Sequence, residues 1–290
     1  MTIEVANRLL IASLDGLYDE REAAAICSLV MEHLTGMPKG MRLSHKEDIL
    51  IPGKEEQYRK YLSELLGSRP VQYVLGEAWF GNLSFYVDEN VLIPRPETEE
   101  LVEWLLSDNP AVAGKTDSGV PVSVLDIGTG SGCIGVYIKK KRADFELIAL
   151  DVSETALDIA KKNAQIQGVD ISYTLCDIRN NKQWEKIPAT DLIISNPPYI
   201  PEKQKQALDK HVRDFEPGLA LFVPDDDPIL FYHLIADIAK EKLKPGGKLY
   251  LEIHHDFAGE IRDWYDRNGF LVELKKDFSG NNRMIKAQLT

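Results

Sequence analysis

The chain has 290 residues, which suggests two domains at roughly 150 residues each. It is 44% hydrophobic and 28% charged, enough for a packed core, and this excludes a disordered chain. With 34 Lys+Arg against 46 Asp+Glu the formal net charge is −12. That balance argues against direct binding of nucleic acid or an anionic membrane, because phosphate contacts need a basic surface.

Cys27, Cys133 and Cys176 are too far apart for a C-x-x-C pair and odd in number. Reduced thiols are expected, with neither a disulfide framework nor a thiolate metal site. Glu4 and Arg8 interrupt the first apolar stretch, and no run reaches the ~18 apolar residues of a membrane span. A cytoplasmic protein is expected.

Residues 1–75 are expected to form a small helical domain. Asp19 and Glu22 have the spacing of a capping box before Ala23, Ile26, Cys27, Val30 and Leu34, which recur at helical spacing. Ser44 and Glu47 suggest a second cap before a short helix. Tyr58, Tyr61, Leu62, Leu65 and Leu66 suggest one face of another, ending at Gly67 with Pro70 beyond. Residues 76–95 are expected to be a β-hairpin linker, from the apolar runs of residues 79–87 around Gly81-Asn82. A helix should start near Glu97, after Pro94-Arg95-Pro96, and a polar loop should cover residues 108–119.

From Val122 onward, in a domain expected over residues 96–290, strands and helices alternate. Strand candidates are VSVLD, ELIALD, ISYTL, DLIIS, KLYLEI, FLVELK and MIKAQL. One helical pattern runs through Leu230, Leu234, Ile235, Ile238 and Leu243 to Pro245-Gly246-Gly247. Near-continuous apolar strands between helices predict an α/β fold with a doubly wound, mostly parallel seven-stranded sheet. The last two strands, joined by DFSGNNR, should pair antiparallel, since that link is too short for a crossover helix.

The first of these strands runs into Asp126-Ile127-Gly128-Thr129-Gly130-Ser131-Gly132. Glycines here let the backbone turn sharply and approach a nucleotide. The dinucleotide pattern G-x-G-x-x-G is not met, because Cys133 stands at the third glycine position. Asp126 beside the loop would repel a pyrophosphate and suits a ligand with an ammonium group, such as S-adenosyl-L-methionine. Asp151 ends the next strand, where an acid accepts from ribose hydroxyls, and Asp177 follows the third, placed for an adenine amino group.

The fourth strand runs into Asn196-Pro197-Pro198-Tyr199. A delocalised amide or arylamine nitrogen must be oriented before it attacks a methyl sulfonium. The Asn196 side-chain oxygen and the Pro197 carbonyl can accept its two N–H bonds, more strongly as positive charge develops. The prolines hold that carbonyl rigidly, and Tyr199 offers a flat face for a planar group.

DIGTGSG, an acid after the next strand, and NPPY together resemble class I S-adenosylmethionine-dependent methyltransferases acting on nitrogen. RPVQYVLGEAWF, VLIPRPETEELV, ISNPPYIP and VRDFEPGLALF are similar to signatures of the release factor glutamine N5-methyltransferases, the HemK or PrmC family. The resemblance covers essentially the whole chain. It implies a Rossmann-like methyltransferase fold, S-adenosyl-L-methionine as cofactor, and peptide chain release factors as partners, methylated on the glutamine of a Gly-Gly-Gln motif. It also implies that Asn196, Pro197, Pro198 and Tyr199 hold the substrate, and that residues of the glycine loop, Asp151, Asp177, Ile178 and Asn196 hold the cofactor. Some members carry an aromatic where this chain has Ile178, which can pack on adenine but not stack. A sister group acting on a ribosomal protein glutamine shares NPPY but resembles residues 94–99 less. A DNA or RNA amino-methyltransferase is the second reading, disfavoured by charge, and an adenosyl-nucleoside-binding adaptor the third, disfavoured by NPPY.

His254-His255 between Glu252 and Asp256 is expected to hold no metal, on the argument that neighbours on a strand point to opposite faces. Lys139 to Arg142 is expected to complement a helix C-terminus rather than bind nucleic acid.

Overall fold

A computed structural model describes residues 1–110 and 121–290. The chain folds as two compact units: Met1–Glu77 with Asp209–Phe215, and Ala78–Leu208 with Glu216–Thr290.

The first unit is helical: α1 Ile3–Leu14, α2 Glu20–Thr35, α3 Lys39–Ser44, α4 Pro52–Leu66 and α5 Val71–Leu75. Asp19 caps α2 as its spacing implies, accepting from the Arg21 and Glu22 amides. Leu10, Leu14, Val30, Met31 and Leu65 are fully buried at its centre, and the Tyr58 hydroxyl donates to the Ala6 carbonyl at 3.1 Å. Two expectations fail here. Ser44 is the last residue of α3, not a cap, and α4 begins instead at Pro52, whose fixed φ suits a first helical position. Leu66 is exposed, because the buried face of α4 follows Tyr58, Tyr61 and Leu65 and leaves no room for it.

The second unit begins with the hairpin β1 Ala78–Phe80 and β2 Leu83–Phe85, paired Phe80 to Leu83 across the turn. Helix α6, Pro96–Asp108, follows. The expected polar loop falls mostly on residues 111–120, outside the described residues.

The main sheet contains β3 Ser123–Ile127, β4 Glu146–Asp151, β5 Ser172–Leu175, β6 Thr190–Ser195, β9 Leu243–Glu252, β10 Phe270–Lys276 and β11 Asn282–Leu289. A separate short pair is β7 Ile200–Pro201 with β8 Phe222–Val223. The seven strands lie in the order β10-β11-β9-β6-β3-β4-β5. Pairings from β9 to β5 are parallel, and β11 is antiparallel to both β9 and β10.

Helices α7 Cys133–Lys141, α8 Glu154–Gln167, α11 Leu230–Lys242 and α12 Ala258–Arg267 cover the sheet, and α9 Lys210–Phe215 and α10 Gly218–Leu221 follow β7 and precede β8 along the chain. Side-chain alternation on β3 shows the double winding. Leu125 and Ile127 join the layer of Ile235, Ile238 and Ile261, while Val124 joins that of Leu101, Leu105 and Val136. Phe80 and Phe85 of the hairpin are buried in this second layer.

Leu243 departs from its expected helix. It pairs with Thr190 as the first residue of β9, after which the register moves to Leu192 opposite Lys248. Pro245-Gly246-Gly247 bulges out between those pairs. Leucine fits either periodicity, and the partner strand decides.

Candidate active site

The chain runs from β3 outward to β4 and β5, then crosses to β6 on the other side of β3. The carboxyl ends of β3 and β6 therefore flank a topological switch point, where ligands bind in such sheets. Ile127 pairs with Ser195, whose hydroxyl donates to the Ile127 carbonyl at 2.6 Å. The glycine loop and NPPY thus leave the sheet side by side. Asp151 ends β4 on one flank, and Glu252 ends β9 on the other.

A cavity of about 260 Å³ opens at this edge. Of the residues singled out in the sequence, Gly128, Gly130, Asp151, Asp177, Ile178, Asn196, Pro197 and Pro198 line it. Glu89 to Leu92 and Val152 to Ser153 also line it, as do Ser195, Pro217, Leu219, Ala220 and Phe231. Asp126, Thr129, Ser131, Gly132 and Tyr199 are not among the lining residues.

Asp126 is fully buried. It accepts from the Thr129 hydroxyl at 2.7 Å, while its other oxygen has no partner. Burial pushes its carboxyl up to about 7, and the charge of Asp151 adds to that. It braces the loop from below, where the expectation had it facing an ammonium group. Gly132 sits at φ +81°, and a Cβ there would come within 3.0 Å of the Ala160 Cβ on α8. At Gly130 a Cβ would meet nothing within 4 Å, so a ligand has room beside the backbone.

Asp151 accepts the Gly130 amide on Oδ2 and the Ser153 amide on Oδ1, each at 2.9 Å. Burial raises its carboxyl against these bonds. Asp177 is paired with Arg179 at 2.9 Å, which holds its carboxyl low. Ile178 is buried, packs with the core and forms part of the cavity lining.

The NPPY segment is tied to two residues the sequence reading did not assign. Asn196 Nδ2 donates to Thr98 Oγ1 at 3.0 Å, and the Thr98 hydroxyl donates to Glu252 Oε2 at 2.6 Å. The Tyr199 hydroxyl donates to Glu252 Oε1 at 3.0 Å. Glu252 is buried, which raises its carboxyl. Tyr199 is raised well above its ordinary value by burial and by the Glu252 charge. Its ring meets His254 edge-on at 5.8 Å, so it packs into the fold beside the cavity. A carboxylate at the end of a parallel strand was the available signal for Glu252, since the same rule selected Asp151.

Arg95, also unassigned from sequence, bonds the buried Glu216 at 2.6 Å, and Glu216 accepts from the Ile93 amide. This fastens the segment before α6 beside α10, and both line the cavity. The opposite-face argument for His254 and His255 fails: β9 ends at Glu252, and their rings stack at 5.0 Å on the turn beyond. His254 Nδ1 accepts from the Asp256 amide.

A seven-stranded doubly wound sheet whose one antiparallel strand, β11, lies between β9 and β10 is a methyltransferase-type fold. The human methyltransferase 10 domain containing protein shares it, with a TM-score of 0.50 at 16% identity over 72% of this chain and 89% of that one. The methyltransferase small domain family matches residues 115–214, and the PrmC N-terminal domain family matches residues 10–76. The release factor glutamine methyltransferase of Flavobacterium psychrophilum is 37% identical over 99% of both chains. That of Bacteroides thetaiotaomicron is 36% identical over 95% of this chain and 96% of its own. The chain belongs to the release factor glutamine methyltransferase family. Among the described residues no helix is long and apolar enough to cross a membrane.

Proposed function

We propose that the chain transfers a methyl group from S-adenosyl-L-methionine to the side-chain amide nitrogen of the glutamine in the Gly-Gly-Gln segment of peptide chain release factors. The observation that carries this reading is the Asn196 amide at the cavity wall, its nitrogen engaged by Thr98 and its oxygen left for a donor. Acidic lining at Asp151, with Arg179 neutralised by Asp177, suits a cationic cofactor and not a pyrophosphate. The open space at Gly130 suits close approach of a ligand.

When bound, S-adenosyl-L-methionine supplies a methyl group activated on a sulfonium. Asp151 would accept from its ribose hydroxyls. Asn196 Oδ1 and the Pro197 carbonyl would accept the two N–H bonds of the substrate amide, turning the nitrogen's lone pair toward the methyl. Those acceptors stabilise the charge that develops on nitrogen, so they act mainly in the transition state. Neither acceptor is a base, so the surplus proton on the methylated nitrogen would pass to water at the mouth of the cavity. Tyr199 contributes through its bond to Glu252, holding the end of NPPY in place.

The helical first unit adds no cavity-lining residue. We assign it the docking of the protein substrate, which needs more contact area than a pocket supplies.

The test is mass spectrometry of a release factor, and of a Gly-Gly-Gln peptide, after incubation with enzyme and cofactor. A single added methyl on the glutamine side chain is expected. Methylation of DNA or RNA offered in parallel, with none on the release factor or the peptide, would overturn the reading.

A further inference from the structure

We propose that Thr98 and Glu252 are positioning residues: together they fix which atom of the Asn196 side-chain amide faces the cavity. The inference rests on the proposed function for what the amide does, and on the geometry alone for how it is held.

An asparagine amide is nearly symmetric in shape, so packing cannot choose between its oxygen and its nitrogen. Only hydrogen-bond polarity can. The choice matters, because an N–H pointing at a substrate N–H would repel it.

The polarity here is set two bonds away. Glu252 accepts at both oxygens, from Tyr199 on one and Thr98 on the other. A hydroxyl has one proton. The Thr98 proton is committed to Glu252, so Thr98 meets Asn196 with a lone pair. Only Nδ2 can answer a lone pair, and it does so at 3.0 Å. Flipping the amide would set Oδ1 against that lone pair inside a site where Thr98 is 3% exposed and Glu252 1%. Oδ1 is thereby held for the substrate before it arrives, and that preorganisation makes such acceptors effective.

The competing account is that the Thr98–Glu252 bond only staples α6 to β9. The two accounts differ in the variants they tolerate. Thr98→Val keeps the shape and removes the hydroxyl, and Thr98→Ser restores it. Under the positioning role, Thr98→Val lowers kcat at least tenfold with KM for the cofactor changed less than threefold, and Thr98→Ser recovers most of the loss. Glu252→Leu behaves like Thr98→Val, since it removes the acceptor that commits the Thr98 proton. In an Asn196→Ala background the Thr98→Val effect on kcat disappears, because the residue it acts through is gone.

A second readout needs no substrate. In 15N-labelled enzyme the Asn196 side-chain amide protons should exchange slowly with solvent in wild type and Thr98→Ser. In Thr98→Val they should exchange at least tenfold faster.

Full additivity of Thr98→Val with Asn196→Ala, or unchanged amide exchange in a folded Thr98→Val, would overturn the positioning role. Wild-type enzyme that protects the Asn196 amide but leaves Gly-Gly-Gln unmethylated would instead overturn the function and leave the positioning intact.

Discussion

Replacing Asp151 by alanine removes two things at once, and the structure separates them. Each carboxylate oxygen already accepts a backbone amide, Gly130 on one and Ser153 on the other. Their loss should cost stability on the order of 1–2 kcal/mol in all, because both amides can find water at the cavity. The remaining lone pairs face the cavity as charge-assisted acceptors for hydroxyls. Such bonds are worth about 1.5–3 kcal/mol, so the dissociation constant for S-adenosyl-L-methionine should rise roughly ten- to a hundredfold. Asp151→Asn should be nearly as damaging as alanine, although it is isosteric. Whichever way its amide turns, an N–H₂ meets a backbone N–H at Gly130 or Ser153. Titration calorimetry measures the affinity, and a thermal melt confirms that each variant is folded. Wild-type affinity in folded Asp151→Asn would refute the argument, since it would show that neither the charge nor the double acceptor geometry contributes.

The Asp126 carboxyl is raised from its ordinary 3.8 to about 7 by burial. The folded state therefore holds a proton the unfolded state has released, and this contribution is full below pH 4 and lost as pH rises through 7. Its ceiling is about 4 kcal/mol, so Asp126→Asn should flatten the stability profile over that window in urea melts, and parallel profiles would refute it. Gly132→Ala should destabilise by roughly 1–3 kcal/mol, read as a lower melting temperature, because its Cβ would press on Ala160 at a backbone φ of +81°. Leu43, Ile49 and Ile51 are exposed apolar residues on the first unit. Changing all three to glutamate should raise KM for an intact release factor on the order of tenfold, as expected for lost apolar contact at a docking face. KM for a Gly-Gly-Gln peptide should not change, and an equal change for both would remove the docking role.

The parallel strands were legible because burial on both faces writes them as continuous apolar runs, and the glycine loop because its backbone needs positive φ. The NPPY turn was legible as a site because it follows such a strand. What failed was decided by distant partners. Leu243 belongs to a strand because Thr190 stands opposite it. Thr98 and Glu252 meet across 154 residues of sequence, through the placement of α6 against β9, and no local pattern carries that. Asp126 is different, because the information that places it is local. Val124 and Asp126 share a face of β3, and Val124 packs into the layer of α6 and α7. Alternation alone sends Asp126 under the loop rather than into the cavity.

Four carboxylates near the ends of the parallel strands β3, β4, β5 and β9 show how far position can go as a guide to role. Asp126 is buried against one hydroxyl and is raised to about 7. Asp151 holds two backbone amides and faces the cavity. Asp177 is neutralised by Arg179 two residues away. Glu252 orders two hydroxyls and is linked to the cavity only through Thr98 and Asn196. The sheet supplies the same address to each, because every parallel strand delivers its last side chains to one edge. What each acid does there depends on which donors the neighbouring loops turn toward it. An acid that lines the cavity, as Asp151 does, keeps lone pairs for a ligand, whereas one whose hydroxyl partner bonds onward, as Thr98 does to Asn196, passes its polarity on. By that reasoning the role proposed for Glu252 runs through Asn196, and the one proposed for Asp151 falls directly on what occupies the cavity.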